Sequence, residues 1–453
     1  MKKFDLVVVG GGPGGLMAAK AAAENGLDVA LLERKSFIPK ITRACSTMVL
    51  SLKEYFLGER IRLNTRDKLL TFPVNGFSVR YDGPYKNFYS WQIYAPDGSR
   101  IVIGDYEKNK QMGDEGRLSA TIDKETLLTQ MLEDCEKLHV KIFHKINVVG
   151  VKKEKTSVQI IGSNGEIFEG TFVIAADGRN SRIVRALGFN RERVWYGTSS
   201  VRGCFLEDVD FPEPESVIKI FIGGNRPIPI GCFFSPRAAG KDREYFAVTS
   251  TVNVTADHVE PFEYLLKKSQ FSSWFKRVKV GRTLCYAGNM YSPIKKPFRD
   301  NVLVIGDAAW SQEADVTGAI LSAFRAATAV VVALSDGKIS EEGIYPYLEW
   351  WKKNYLEPIE HTHLIRNVLL PYVLTQDEMC YYFKQFRKPL PSTLDPYSVP
   401  RHIAEATKEF AHIIQKERPE ILRKMRIFAE TPLDVLLFNH RRYGFPSQNC
   451  YNF

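Results

Sequence analysis

The sequence predicts an α/β fold with a helical C-terminal region. Three observations carry this expectation. The chain opens with an apolar run, a glycine turn and an Ala-rich stretch, in the order strand, turn, helix. Two later apolar runs, Phe172–Ala176 and Val302–Ile305, each lead into a Gly/Asp pair. Between these blocks the chain is rich in strand formers and aromatics. Strands alternating with helices argue for a parallel sheet, and Gly and Asp at strand ends sit where such a sheet binds its ligand. At 453 residues the chain exceeds one ordinary core, so two lobes and an appendage are expected.

The opening element is the most specific. Phe4–Val9 is apolar and runs into Gly10, Gly11, Gly12, Pro13, Gly14 and Gly15; Leu16–Asn25 favours helix, and Leu27–Leu32 is a second apolar run ending at Glu33. Gly10 permits the tight turn, Gly12 lets backbone approach a pyrophosphate, and Gly15 lets the helix pack on the sheet. The helix N-terminus offers unpaired N–H groups to an anion. Glu33, eighteen residues after Gly15, is placed to accept from ribose hydroxyls. The spacing predicts a Rossmann-like dinucleotide site; the competing reading is a glycine turn in an empty α/β layer. Only one such fingerprint is present, so this site holds the main cofactor.

Composition excludes several classes. Hydrophobic residues at 44% and charged residues at 25% are ordinary for a soluble globular chain. The net charge of +10 is modest, but Arg34–Lys68 holds nine Lys or Arg against three acids. This reads either as a docking face for a phosphorylated ligand, an anionic membrane or a partner, or as a solvated basic loop region. No nucleic-acid module is recognisable. The seven cysteines (Cys45, Cys135, Cys204, Cys232, Cys285, Cys380, Cys450) are scattered with no C-x-x-C pair, which predicts a reducing compartment and no structural zinc. His361 and His363 lack a third ligand nearby, so no metal is expected. There is no signal peptide, and no stretch reads as a membrane span; Ala326–Leu334 is the longest apolar candidate. A cytoplasmic protein is expected.

The order Gly10-x-Gly12-x-x-Gly15, Asp177-Gly178 and Gly306-Asp307 resembles the flavoproteins built on the p-hydroxybenzoate hydroxylase plan, and within them the geranylgeranyl reductase family. Three features favour that branch: Arg43-Ala44-Cys45, the segment Pro229–Pro236, and Leu374–Met379 in a helical tail. The resemblance spans roughly residues 1–390 and implies FAD as cofactor. It implies a Rossmann-like FAD-binding domain from residues 1–62, 104–193 and 291–340. An interleaved antiparallel-sheet substrate domain would comprise residues 63–103 and 194–290, followed by a helical region, 341–453. By the same resemblance the Gly10–Gly15 turn holds the pyrophosphate, Glu33 and Arg34 adjoin the adenosine ribose, and Arg43 and Ala44 face the cofactor. Lys124 stands where the family often has Arg. Asp177 and Gly178 lie near the pyrophosphate and the route by which a reductant approaches, Gly306 and Asp307 near the ribityl side or the pyrophosphate, and a helix from Gly318 and Ala319 meets the flavin's pyrimidine edge. Trp310 replaces a small residue of the family in a loop lacking the family's proline, which predicts a reshaped flavin pocket.

The chemistry follows from these placements. Cys45 reads as a residue beside the flavin, with Arg43 favouring its thiolate, or as a small buried side chain. Glu313 and Asp315 are candidate proton donors; the competing reading is that they cap the helix. Leu128, Met131, Leu132 and Cys135 recur at helical spacing and read as core. Aromatics such as Phe77, Trp91, Tyr94, Phe221, Phe233, Phe234 and Phe246 are expected in an antiparallel sheet that roofs the flavin, some of them lining an apolar tunnel. The C-terminal apolar stripes (Ile403, Phe410, Ile413, Ile414, Ile421, Leu422, Met425) face the core, or else a membrane. The function implied is a FAD-dependent oxidoreductase that reduces carbon–carbon double bonds of a hydrophobic, prenyl- or lipid-like substrate. An external donor would be a nicotinamide (NAD(P)H), a deazaflavin or a ferredoxin. The alternatives are a FAD-dependent monooxygenase of an aromatic or other hydrophobic substrate, and a flavin-binding redox sensor without turnover.

Overall fold

The first strand, β1 (Lys2–Val9), is buried over its last four residues, as a strand covered on both faces by helices must be. It pairs in parallel with β2 (Val29–Leu32) on one side and with Ile167–Ala175 on the other. Lys141–Phe143 extends the sheet beyond β2, also in parallel. At Ile167–Ala175 the sheet forks. The first half of that strand pairs antiparallel with Val158–Gly162, which pairs with Val148–Lys153. Its last three residues pair in parallel with Val302–Val304. The strands preceding Gly10, Asp177 and Gly306 therefore lie side by side and end together, which is the placement the spacing predicted. This is a computed structural model, and it describes residues 1–45, 48–49, 55–223, 231–252, 261–310, 315–362, 365–366, 373–395 and 397–437.

Helix α1 (Pro13–Glu24) covers one face of this sheet and packs against the helices Lys124–Lys137 and Asp315–Ser335. The turn between β1 and α1 is sterically fixed. Gly10 has φ +111°, and a Cβ on Gly15 would stand 1.7 Å from the Gly10 carbonyl oxygen. The Asp315–Ser335 helix starts earlier than the expected start near Gly318, so Gly318 lies within its first turn. By length and composition Val316–Ser335 is apolar enough to cross a membrane, contrary to the sequence expectation. Its buried face packs on α1 and on Glu341–Trp351, as a core helix does.

The second layer is a seven-stranded sheet in the order Lys279–Tyr291, Trp195–Glu207, Tyr245–Val252, Gly231–Pro236, Val217–Ile222, Ser90–Tyr94, Arg100–Ile103. It is not purely antiparallel as expected: Val217–Ile222 runs parallel to Ser90–Tyr94, because these two strands are joined through the other lobe rather than by a hairpin. Arg62–Asn64, Leu69–Phe72 and Phe77–Arg80 form a separate small sheet. Tyr94, Phe221 and Phe234 face outward, into a cluster closed by Phe211, Phe271 and Phe275. Among the described residues, a cavity of about 20 Å³ lies against that cluster, with Phe221 and Phe271 in its lining. These three aromatics pack as core.

The C-terminal region comprises Glu341–Trp351, Gln376–Phe383, Ser398–Glu417 and Pro419–Glu430 among the described helices. Phe410, Ile414, Ile421 and Phe428 are buried, while Glu405, Lys408, Glu409, Arg423 and Arg426 are exposed. The apolar stripe is spent on the protein's own core. Replacing Gly15 by Ala should abolish soluble protein or lower the thermal midpoint by several degrees, because the collision is with backbone and overpacking of this kind costs about 1–3 kcal/mol or more. Thermal unfolding monitored by circular dichroism measures it; an unchanged midpoint would contradict the packing described.

Candidate functional site

At the carboxyl ends of the parallel strands lies a cavity of about 310 Å³. Gly10, Gly12, Pro13, Glu33, Arg34, Arg43, Ala44, Cys45, Lys124, Asp177 and Asp307 all line it. Their positions span more than 290 residues of sequence and come together because the three strand ends adjoin. The remaining predicted residues support the wall. Gly11 donates its N–H to Glu33 Oε2 at 2.6 Å. Gly14 packs against Ala319, whose carbonyl oxygen a Cβ on Gly14 would approach to 3.2 Å. Gly178 (φ +82°) lies beside the Arg43 guanidinium. Gly306 N–H donates to Ser322 Oγ at 3.3 Å, and the Gly318 carbonyl accepts from Tyr355 Oη–H at 3.3 Å. Glu313 lies outside the described residues, and Asp315 is described by its backbone alone.

Glu33 is buried and held on both oxygens: besides Gly11, the Lys35 N–H donates to Oε1 at 2.8 Å. A carboxylate oxygen keeps a second lone pair for a hydroxyl donor. Lys35 Nζ donates to the Ile38 and Lys40 carbonyls, and burial lowers its pKa. Asp177 accepts from the Arg182 N–H at 2.9 Å through Oδ2, while its Oδ1 is buried with no partner. Burial raises its pKa. Cys45 differs from expectation. Its partner is Lys124, whose Nζ donates to Sγ at 3.2 Å; Arg43 turns instead toward the Tyr286 ring, 5.5 Å from the ring centroid. Lys124 is brought there as the first residue of its helix, which Asp123 caps by accepting from the Thr126 N–H at 2.7 Å. Leu128, read from the sequence as core, is buried and also lines the cavity.

Trp310 does not line this cavity. It is buried against Tyr355 and Tyr397, at ring-centroid distances of 5.3 and 5.8 Å. Its bulk therefore fills the seam toward the C-terminal helices rather than the described part of the cofactor cavity.

Sequence reasoning missed Arg179, Arg182 and Tyr286, which line the cavity, and Arg193, which organises it. Arg193 donates to the carbonyls of Ser292 (2.6 Å), Ala309 (3.2 Å) and Ala308 (3.4 Å). Burial lowers its pKa to about 10. It thereby pins the turn that carries Asp307. A lone Arg before a strand carries no sequence signal for such a role. The run Asp177-Gly178-Arg179-Asn180-Ser181-Arg182 did hold a signal, in its two cations beside a glycine turn.

The residues fit a dinucleotide. A Cβ on Gly12 would meet nothing within 4 Å, so that face of the turn is open. Helix α1 begins with no side-chain cap and no acid in its first turn, leaving its N–H groups to an anion. Arg34, Lys35, Lys40, Arg43, Lys124, Arg179 and Arg182 outnumber Glu33, Asp177 and Asp307 around the cavity, a balance that suits a pyrophosphate. The unpartnered Asp177 Oδ1 is an acceptor awaiting a donor.

Two substitutions test this arrangement. Arg193→Met should weaken FAD binding about tenfold or more, since unsatisfied carbonyls cost about 1–3 kcal/mol each. Arg193→Lys should recover only part, because an ammonium cannot fork between carbonyls. Flavin-fluorescence titration measures both. For Asp177 the raised pKa means that its ionised form opposes folding. The apoprotein should gain stability as pH falls through that pKa, and Asp177→Asn should flatten the dependence. Thermal midpoints of apoprotein from mildly acidic to mildly alkaline buffer supply the comparison.

Residues 3–312 match the FAD binding domain family. Digeranylgeranylglycerophospholipid reductase of Methanothrix thermoacetophila is 26% identical over 361 residues, covering 78% of this chain and 84% of that one. Among solved structures, a geranylgeranyl bacteriochlorophyll reductase-like protein from Thermoplasma acidophilum superimposes with TM-score 0.68 at 19% identity, covering 94% of this chain and all of that one. The myxobacterial chondrochloren halogenase, a FAD-dependent halogenase, gives TM-score 0.59 at 17% identity with 99% of each chain covered. The resemblance to geranylgeranyl reductases, the α/β fold and the FAD cofactor are thus borne out. The chain belongs to the FAD binding domain family and is a FAD-dependent oxidoreductase with geranylgeranyl reductase-like relatives.

Proposed function

We propose that this protein reduces carbon–carbon double bonds in a hydrophobic, prenyl- or lipid-like substrate. One observation carries the reading. A second cavity, about 760 Å³, lies between Tyr55–Gly58 and the C-terminal helices; Phe56, Leu57, Ile359, Tyr397, Met425 and Phe428 line it, with Glu360, Arg366, Asp395 and Arg401 also on its wall. Trp310 stands between it and the flavin-binding turn, since the indole packs on Tyr397 and follows directly from Gly306–Ala309. A chamber with this apolar face and a charged rim suits an aliphatic chain carrying a polar head. The name of the Methanothrix relative supports the same substrate class.

The turn Gly10–Gly15 and the α1 N-terminus would hold the FAD pyrophosphate, Glu33 the adenosine ribose, and Asp177 and Asp307 the hydroxyls between pyrophosphate and flavin. A bound FAD would supply two-electron, hydride-transfer chemistry, recharged by an external donor. The chain's residues do the rest. Arg43 and Arg179, both near the Tyr286 ring, face the cofactor with positive charge. The first turn of Asp315–Ser335 directs its N–H groups toward it. Trp310 and Tyr355 exclude water from the seam. Glu313 or Asp315, next along the chain from Trp310, delivers the proton unless both serve the helix start; Cys45 sits by the flavin. The donor is a nicotinamide, a deazaflavin or a ferredoxin. The charged outer face of the C-terminal helices favours a cytoplasmic protein that takes its lipid without inserting.

The experiment is anaerobic. Photoreduced, FAD-loaded protein is mixed with a geranylgeranyl lipid in detergent while flavin absorbance and product mass are followed. Flavin reoxidation with a gain of two hydrogens per double bond is expected. No reoxidation by any unsaturated prenyl lipid, with oxygenated product appearing in air, would replace this reading by a monooxygenase.

A further inference from the structure

Lys124 is a cation with an unusual partner. Its neighbours in sequence are committed elsewhere: Asp123 caps the helix, and Glu125 Oε1 accepts from the Ile41 N–H at 2.9 Å. Among the described residues no carboxylate pairs with Lys124. Its ammonium meets only the Cys45 thiol, at 3.2 Å. Both residues are half-buried and line the cofactor cavity, so a small solute that reaches the flavin reaches them too. The other described cysteines lack this combination. Cys135, Cys204, Cys232 and Cys380 are buried, and Cys285 is exposed and does not line that cavity. Burial pushes the Cys135 thiol up to about 12 and the Cys380 thiol up to about 11. Reduced flavins release hydrogen peroxide when they meet oxygen, so this cavity is where a peroxide would first appear.

We propose that Cys45 and Lys124 form a peroxide-modification site, in which oxidised Cys45 is captured by the Lys124 amine as a reversible sulfenamide cross-link. The chemistry balances in two steps. Hydrogen peroxide oxidises the thiol: its O–O bond breaks, an S–O bond forms, two electrons leave sulfur, and Cys45–SH becomes Cys45–SOH with release of water. Lys124–NH3⁺ then gives up a proton and attacks sulfur. The S–O bond breaks, an S–N bond forms, and water leaves. The net product is Cys45–S–NH–Lys124, lighter than the two free side chains by two hydrogens. A sulfenic acid condenses readily with a nearby nitrogen, and a thiol restores it. The amine is already in contact, so capture competes with further, irreversible oxidation. The cross-link would tie the Arg43-Ala44-Cys45 segment to the helix Lys124–Lys137 and narrow the cavity on that side.

The test uses the full-length protein in FAD-loaded and apo forms, treated with added hydrogen peroxide, quenched, digested and read by mass spectrometry. The expected result is a peptide pair joining Cys45 to Lys124 with the loss of two hydrogens, reversed by dithiothreitol. Lys124→Arg keeps the charge but should lose the cross-link, and should gain dimedone-trapped sulfenic acid or sulfinic acid at Cys45. Cys45→Ser should lose every product. Peroxide-treated wild type in which Cys45 is sulfinic or unmodified, with no Lys124 link, would overturn the proposal. Because added peroxide needs no turnover, the apoprotein result stands apart from any failure of the reductase reading.

Discussion

The contact on which the structure depends is the approach of α1 to the end of β1. The helix begins so close to the strand that the Gly10 carbonyl occupies the space where a side chain of Gly15 would be. This closeness sets the α1 N-terminus at the strand end, where the neighbouring turns at Asp177 and Gly306 also arrive. It also lets Gly14 meet Ala319, so the first turns of two helices converge on one spot. An anion there is met by N–H groups fixed before it arrives, with no reorganisation cost at binding.

Electrostatics then biases the site. Buried Glu33 is satisfied by backbone donors and stays compatible with a low-dielectric wall. Asp177 is less well satisfied, and its unpartnered oxygen stores a penalty that a hydroxyl donor would relieve. The surplus of Arg and Lys around the cavity favours a ligand that brings negative charge. On the far side of the same turn, buried Arg193 spreads one cation over three carbonyls, an economical way to hold irregular backbone rigid.

Most of the candidate site was legible in the sequence because backbone chemistry writes it there: Gly10, Gly12, Gly15, Asp177, Gly178, Gly306 and Asp307 are residue types that a close backbone approach or a strand end requires. What escaped reading depends on tertiary direction. The partnership of Cys45 with Lys124 rather than Arg43 is set by where a distant helix starts. The outward direction of Tyr94, Phe221 and Phe234 is set by which face of the sheet the segment around Phe271 and Phe275 covers. Composition alone cannot tell an aromatic that lines a chamber from one that packs a wall. The helix start at Asp315 was misplaced because Gly318 reads as a breaker in isolation, while packing against α1 rewards a small residue there.

The position of Trp310 has a consequence for how such a chain can change over evolution. Its indole is fixed from the cofactor side by the backbone of the Gly306 turn and from the opposite side by rings of the tail. The tail is thus a replaceable liner: substitutions at Tyr397, Met425 or Phe428 would alter the chamber's shape and length preference while leaving the nucleotide grip untouched. On the proposed reading, most of the substrate wall would come from the tail and the remainder from Tyr55–Gly58, while the nucleotide grip comes from the strand ends.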